Sequence, residues 1–84
     1  MKFFYTYVLK SKKDDELYIG FISDLKNRLS EHNSGLVKST KKRIPLGLVY
    51  YEACLGEKNA IKREKQLKTG FGRAYLNRRL KSDG

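Results

Sequence analysis

The chain lacks the features of a disulfide-rich, zinc-binding or membrane-spanning protein. It contains one cysteine, Cys54, so an internal disulfide and a zinc site built from cysteines are both excluded. No apolar run approaches the length of a bilayer, and only a short apolar stretch precedes Lys10. We therefore expect neither a membrane span nor a secretory leader, and the single cysteine fits a reducing cytoplasm.

Acidic residues are scarce relative to basic ones. Nineteen lysines and arginines oppose nine aspartates and glutamates, which gives a formal net charge of +10 at pH 7. A field of this sign attracts polyanions, and nucleic acid is the first candidate. An anionic membrane surface is the second candidate, but no segment has the amphipathic pattern of aromatic and basic residues that it requires. The composition favours a nucleic-acid partner over a merely soluble basic domain.

The apolar pattern predicts one small mixed domain spanning residues 1–84. Hydrophobic residues make up 39% of the chain, which is enough for a modest core. Aromatic, β-branched and amphipathic runs predict an α/β (α+β) fold in which a three-stranded antiparallel sheet is flanked by three helices. The predicted strands are 3–10, 17–22 and 48–53, and the predicted helices are 24–34, 56–68 and 73–80, with a frayed tail over 81–84.

The first two strands form a predicted hairpin whose register decides whether two tyrosines share a face. A connection centred near residues 12–14 pairs positions whose numbers sum to about 25 or 27. Either sum places Tyr7, Tyr18 and Gly20 on one face of the sheet. A glycine inside a strand is typical of close approach by another group or of a local bulge, and the sequence leaves both open.

The first predicted helix carries two polar residues beside its apolar stripe. Ser23 or Asp24 can cap this helix and Gly35 can end it. With Leu25 at the centre of the stripe, His32 lies about 20° away and Arg28 about 60° away. Each residue alone would ordinarily be a boundary or solvated side chain. Their coincidence beside the tyrosine strand raises a functional role to equal weight with a structural one.

The second predicted helix places a carboxylate within its apolar arc. Glu64 lies about 40° from Ala60, and Leu67 lies about 20° from Ala60 on the other side. A buried carboxylate must be paired, hydrogen-bonded or bound to a metal. Two alternatives remain: a metal or catalytic role, and an internal ion pair, for example with an arginine of the first helix.

Basic residues cluster in the connection 36–47 and on the outer faces of the later helices. Four cations within six residues are typical of a phosphate-contacting loop, although a solvated charge run is the alternative. The residues predicted to contact nucleic acid are Lys38, Lys41, Lys42, Arg43, Lys62, Lys65 and Arg73.

Four segments, in order, resemble the GIY-YIG nuclease superfamily, in particular its small stand-alone bacterial members. Residues 18–20 (YIG) match the second motif letter for letter, and residues 5–7 (YTY) stand where Gly-Ile-Tyr is expected. Segments 23–35 and 61–68 resemble the helices that follow, so the resemblance covers about residues 3–80. The chain departs from the family at the first two letters of the first motif, and Phe21 stands where some members carry lysine.

The resemblance implies roles for five side chains. Tyr7 or Tyr18 would orient or deprotonate the attacking water, and Arg28 would hold the scissile phosphate. Glu64 would bind one divalent metal ion, Mg²⁺ or Mn²⁺. His32 would assist proton transfer or contact phosphate. Because an ordinary phenol has a pKa of about 10, nearby cations and the metal are expected to lower the tyrosine pKa.

The predicted function is therefore metal-dependent endonucleolytic hydrolysis of phosphodiester bonds. DNA is the first expected substrate, and repair or recombination is the expected setting. The alternative is a non-catalytic nucleic-acid-binding module on the same fold, and a protein-interaction domain is a third, more distant interpretation. We expect a cytoplasmic monomer without membrane association. The match of Asn77 to a family asparagine is too loose to assign it to the site.

Overall fold

A three-stranded antiparallel sheet lies between helices on both of its faces. The computed structural model describes residues 2–81; residues 82–84 of the predicted tail lie outside this range. The elements are β1 (Phe3–Ser11), β2 (Leu17–Ile22), α1 (Leu25–Asn33), β3 (Leu46–Leu55), α2 (Glu57–Leu67) and α3 (Gly70–Leu80). The predicted three-stranded antiparallel sheet with three helices is confirmed, and its strands are ordered β2-β1-β3. Within residues 2–81, no helix has both the length and the apolar character needed to cross a membrane.

The central strand β1 is buried on both faces. Tyr7 and Leu9 belong to the core beneath α1, whereas Val8 packs with residues of α2 and α3 on the opposite face. Thr6 also points to the second face, where its hydroxyl donates to the Ala60 carbonyl of α2 at 2.9 Å. This position between two layers explains why apolar residues occupy both sides of the strand instead of alternating with polar ones.

The β1–β2 hairpin has the register whose paired numbers sum to 27. Tyr7 lies opposite Gly20, and Leu9 lies opposite Tyr18, so the two tyrosines are diagonal neighbours on one face. A Cβ atom at Gly20 would lie only 2.6 Å from the Tyr7 hydroxyl oxygen. Close approach, rather than a bulge, therefore accounts for the glycine, because the Tyr7 phenol occupies the space above it.

Side-chain hydrogen bonds define both ends of α1. Asp24 caps the helix by accepting a hydrogen bond from the Asn27 backbone N–H at 3.1 Å. The helix ends at Asn33, and Gly35 follows with a φ of +77°. The Asn33 side chain donates to the Leu46 carbonyl at 2.9 Å and accepts from the Leu46 N–H at 2.7 Å. These two hydrogen bonds join the end of α1 to the start of β3, and they close the segment between them, residues 36–45, which we call the basic loop.

Two predicted boundaries were wrong. Helix α3 begins at Gly70 rather than at residue 73, because the Thr69 hydroxyl accepts a hydrogen bond from the Gly72 N–H at 3.1 Å and caps the helix. Gly72 is buried, and a Cβ at this position would overlap the backbone of Gln66 and Leu67. Gly72 therefore permits α3 to start in contact with α2. Strand β3 is also longer than predicted, since it pairs with the whole of β1.

Candidate active site

A chain of three buried polar side chains links β1, α1 and the basic loop. The Tyr7 hydroxyl lies 3.0 Å from His32 Nε2, and His32 Nδ1 lies 2.7 Å from the Thr40 hydroxyl. All three residues are at most 1% exposed. A neutral imidazole accepts at one ring nitrogen and donates at the other, so both contacts can be satisfied at once. The arrangement connects the Tyr7 phenol to a proton acceptor that water does not reach.

Burial determines the ionisation of His32. Desolvation, and secondarily the positive charge of Arg28, lower the pKa of the imidazole below its usual value of 6.5. The ring is therefore neutral at pH 7 and able to accept a proton from Tyr7. Its complete burial also means that it lies behind Tyr7 and does not reach a phosphate. Of the two expected roles for His32, only proton transfer fits this position.

Burial also dominates the ionisation of Tyr7. Desolvation raises the pKa of the Tyr7 phenol above 10, and the nearby Arg28 guanidinium lowers it by less than burial raises it. The charges of Tyr18 and Glu64 raise this pKa further. Arg28 therefore acts in the expected direction, but in the protein alone burial outweighs it and the pKa of Tyr7 is raised. At neutral pH the side chain is a protonated phenol held by His32.

Tyr18 lies beside the hydrogen-bonded side chains of Tyr7 and His32 but is only partly buried. Its ring centroid is 5.0 Å from that of His32 and 6.3 Å from that of Tyr7. Tyr18 is also among the residues that line a cleft of about 430 Å³ between β2 and α3, together with Arg73 and Asn77, although its ring packs with Tyr7 and His32 on the α1 face of the sheet.

Arg28 has unused hydrogen-bonding capacity next to the tyrosines. Its Nη1 donates to the Glu31 carboxylate at 3.1 Å, whereas its buried Nε–H has no hydrogen-bond partner within residues 2–81. Interaction with the Tyr7 phenol is the main cause that raises the pKa of Arg28 above its usual value, so the side chain remains charged. A planar guanidinium with a free donor is suited to bind an anionic oxygen.

Glu64 lies on α2, and its negative charge contributes to the raised pKa of Tyr7. Ala60 and Leu67 are buried as the helical pattern predicts, and the Glu64 side chain is 15% exposed. Its ion-pair partner is Lys68, one turn along α2 at 3.5 Å, and not an arginine of α1. Because this exposed lysine is a weak partner, the Glu64 carboxylate stays available to a ligand.

The donor set around Glu64 fits only a weakly held cation. In the described part of the chain, no three histidine, cysteine, aspartate or glutamate side chains form a group that could hold a metal ion. A single carboxylate is nevertheless the type of donor that Mg²⁺ and Mn²⁺ prefer. Mg²⁺ commonly keeps several waters and binds through one or two carboxylates plus phosphate oxygens of the substrate. Glu64 is compatible with that mode of binding.

Most of the basic residues predicted to contact nucleic acid are accessible. Arg43 is the exception, because its Nε lies 3.5 Å from the Asp14 carboxylate and its carbonyl accepts from the Ser11 hydroxyl at 2.6 Å. It anchors the basic loop to the β1–β2 connection instead of extending into solvent. The exposed residues of the set are Lys38, Lys41, Lys42, Lys62, Lys65 and Arg73.

Sequence reasoning missed three contributors to the site and its surroundings. Thr40 was part of a charged stretch, and no local pattern distinguishes it from a solvated loop residue. Thr6 replaces an apolar residue of the first motif and uses its hydroxyl to hold α2, which carries Glu64. On the same face, Glu52 forms an ion pair with Arg63 at 3.0 Å. Alternation along β3 could have shown that Glu52 points toward α2.

Comparison with known proteins agrees with this geometry. A family model described as the GIY-YIG catalytic domain matches residues 3–80. The chain belongs to the GIY-YIG family. Membership places it in an endonuclease superfamily and implies nucleic-acid binding. The resemblance seen in the sequence is thereby confirmed.

Relatives of this GIY-YIG chain include several small bacterial proteins named UPF0213. One from Staphylococcus saprophyticus is 42% identical over 66 residues, which are 77% of this chain and 79% of the relative. One from Streptococcus agalactiae is 40% identical over 73 residues, covering 86% and 82% of the two chains. The solution NMR structure of a UPF0213 protein from Bacillus halodurans is similar with a TM-score of 0.54 and 30% identity, covering 88% of this chain and 81% of that one.

Proposed function

We propose that this GIY-YIG domain is a metal-dependent endonuclease that hydrolyses phosphodiester bonds, with DNA as its substrate. The observation that supports it most is the convergence of Tyr7, Tyr18, His32 and Arg28, with the charge of Glu64 acting on Tyr7. A structural ion pair does not require a neutral histidine, two tyrosines and a guanidinium with a free donor at one place. The same set matches what phosphodiester hydrolysis needs: a positioned water, a proton acceptor and a stabiliser of developing negative charge.

Arg28 binds the scissile phosphate in this proposal. The Nε–H is buried, but the Arg28 side chain is 32% exposed, so the outer part of its planar guanidinium can donate to phosphate oxygens. Because the group is partly buried, its interaction with the charge that develops in the transition state is stronger than in water. Glu31 holds one arm of the fork and so fixes its orientation.

Tyr18, Tyr7 and His32 handle the nucleophilic water and its proton. Tyr18, the more exposed of the two phenols, orients the water. As the water oxygen bonds to phosphorus and the opposite P–O bond of the diester breaks, Tyr7 accepts the water proton and passes its own proton to His32 Nε2 across the 3.0 Å contact, while the leaving oxygen takes a proton from solvent. His32 then carries the positive charge while Nδ1–H donates to Thr40. This relay allows a phenol with a raised pKa to act without a stable phenolate.

Glu64 is the residue that would hold Mg²⁺ or Mn²⁺. An ion bound there supplies charge neutralisation to the phosphate oxygens and favours a hydroxide-like water. The basic loop and Arg73 attract the nucleic acid and position its backbone without reading its sequence.

Cleavage assays with a matched pair of variants test this proposal. Labelled single-stranded, duplex and branched DNA and RNA are incubated with Mg²⁺, with Mn²⁺ and with EDTA, using wild type, Glu64→Gln and Glu57→Gln. We expect metal-dependent DNA cleavage that Glu64→Gln lowers by about 10²-fold or more, the scale of losing one main electrostatic stabiliser. Glu57 is exposed in the first turn of the same helix, so Glu57→Gln should retain the wild-type rate.

The outcome also separates the enzyme from a binding module. A folded Glu64→Gln protein that binds DNA at least as tightly as wild type but does not cleave it supports the enzyme. Wild-type protein that binds but cleaves none of the substrates, together with a Glu64→Gln variant that only loses stability, would favour a non-catalytic module in which Glu64 is structural.

A further inference from the structure

Within residues 2–81, no helix covers part of the sheet face beside α1. Leu25 and Leu29 of α1 pack over Tyr7 and its neighbours, but the face continues toward Phe3. Beyond α1, the exposed fractions are 54% for Tyr51, 48% for Phe3 and 49% for Leu55. An aromatic stripe of this kind on a small domain indicates an interaction surface.

Two tyrosines on adjacent strands form the centre of this face. Tyr5 of β1 and Tyr51 of β3 make an edge-to-face contact, with ring centroids 5.9 Å apart and an interplanar angle of 61°. We call this pair the tyrosine platform. It forms the floor of a groove of about 870 Å³ that runs along the N-terminal half of α1. This groove is larger than the cleft that contains Tyr18.

The charge of the groove favours an anionic occupant. Lys2 and Lys26 are among its lining residues, although the Lys2 ammonium lies 5.6 Å from the Phe4 ring on the other face of β1 and must turn from it to reach an occupant. The carboxylate of Asp24 at the rim is held in the helix cap by the Asn27 N–H, and the net charge of +10 dominates over it. A second copy of the chain would bring two domains of charge +10 together, which their mutual repulsion opposes. Single-stranded nucleic acid offers bases to the rings and phosphates to the lysines.

We propose that the tyrosine platform binds single-stranded nucleic acid by stacking its bases. The proposal rests on the proposed nuclease function and implies that the substrate contains an unpaired segment. Paired bases of a duplex are stacked on one another, whereas splayed bases can stack on exposed aromatics of a sheet face. A duplex therefore gains nothing from the tyrosine platform.

The tyrosine platform lies close to the candidate active site. Tyr51 pairs with Tyr7 across the β1–β3 ladder, and the Tyr7 hydroxyl reaches over Gly20 in β2. Two strand spacings, about 10 Å, separate β3 from β2. Stacked nucleotides rise by about 3.4 Å each, so this distance corresponds to about three nucleotides. Because α1 packs over Tyr7, a strand held by Tyr51 would pass around α1 to reach Tyr7 and Tyr18, so the path is longer than this direct distance.

The test measures binding in EDTA, where cleavage does not occur. Fluorescence anisotropy gives the Kd of a labelled oligodeoxythymidine and of a blunt duplex for wild type, Tyr51→Ala and Tyr51→Phe. We expect Tyr51→Ala to raise the Kd for the single strand by on the order of tenfold and the Kd for the duplex by less than about twofold. Tyr51→Phe keeps the ring and should retain the wild-type Kd for both.

Phe71→Ala is the matched control. Phe71 is 93% exposed, but it lies on α3 at the opposite side of the sheet, so its loss should leave both Kd values unchanged. Far-UV circular dichroism and thermal unfolding verify the fold of each variant. If alanine destabilises the domain, Tyr51→Leu removes the aromatic ring while keeping apolar volume, and it should show the same loss for the single strand.

Three results would overturn the tyrosine platform. They are an unchanged single-strand Kd in folded Tyr51→Ala, an equal loss for single strand and duplex, and loss of a sedimenting dimer in Tyr51→Ala with single-strand binding intact. The last result would make the face a self-association surface. Tyr51-dependent binding without cleavage of any substrate would support the platform while removing the nuclease proposal. Cleavage of DNA together with single-strand binding that does not depend on Tyr51 would support the nuclease proposal and remove the tyrosine platform.

Discussion

Substitution of Gly20 tests how tightly the site is built around Tyr7. In Gly20→Ala, the new Cβ would lie 2.6 Å from the Tyr7 hydroxyl oxygen and 2.7 Å from Cζ, so the ring must move. Overpacking of this kind costs about 1–3 kcal/mol. Displacement of the phenol also breaks its contact with His32, and leaving buried hydrogen-bonding groups unpaired costs about 1–3 kcal/mol more.

One opposing effect reduces this loss. Replacing glycine by alanine restricts the unfolded chain and stabilises the folded state by about 0.4–1 kcal/mol where the backbone permits it. The net prediction is a loss of roughly 1–5 kcal/mol, which is a large fraction of the roughly 5–15 kcal/mol typical of small domains. Because Tyr7 moves away from His32, the cleavage rate of the proposed nuclease should fall as well.

Urea unfolding followed by circular dichroism measures this effect, with Gly47→Ala as the matched control. Gly47 also lies in a strand, but no atom lies within 4 Å of the position where its Cβ would be. We expect Gly47→Ala to be neutral or slightly stabilising and Gly20→Ala to shift the midpoint with little change in slope. Equal stability of the two variants would refute the reasoning, since it would mean that the Tyr7 ring can leave its position without cost.

Three further predictions concern charge. Arg28→Lys keeps the charge but not the planar fork, so cleavage should fall sharply, and a purified variant within about twofold of the wild-type rate would make Arg28 an ordinary surface cation. The logarithm of the DNA-binding constant should fall with the logarithm of the salt concentration with a slope of about −3 to −6. Joint replacement of Lys38, Lys41 and Lys42 by alanine should make this slope less steep to the same extent for every DNA sequence, which Kd values measured over a range of salt concentrations test. Folding lowers the pKa of His32, so the unfolded state binds more protons and the stability of the domain should decline as the pH falls below about 6.5. In urea unfolding, His32→Gln should remove this part of the pH dependence. An unchanged pH dependence in that variant would contradict the lowered pKa.

Most helices and strands could be predicted from local sequence patterns, because each of these elements has a strong pattern of its own. The aromatic run of β1, the apolar run of β2 and the apolar stripe of α2 all predict their elements within a few residues. The start of α3 was predicted at residue 73 instead of Gly70, because two glycines in the sequence favour the end of a helix. Their effect depends on Thr69 as a cap and on contact with α2, neither of which a local pattern shows.

The proximity of Tyr7, Tyr18 and His32 was predictable from the sequence, but their electrostatics were not. The hairpin register and the helical angles bring Tyr7, Tyr18 and His32 together from the sequence alone. Whether cations or burial control the Tyr7 pKa depends on how much water reaches the ring, which is a property of the packed core. In the same way, Lys68 rather than an arginine pairs with Glu64 because side-chain reach on α2 decides the partner.

The basic loop is constrained in a way that its composition does not suggest. Surface loops usually accept insertions, and a lysine-rich segment between a helix and a strand would be an ordinary site for a tag or a fused domain. Here Asn33 fastens the far end of the loop at Leu46, and Thr40 in its middle is buried against His32. Lengthening this segment would withdraw Thr40 from the imidazole even if every charge were kept. The length of the segment between α1 and β3 therefore constrains the candidate site as much as the identity of its residues does.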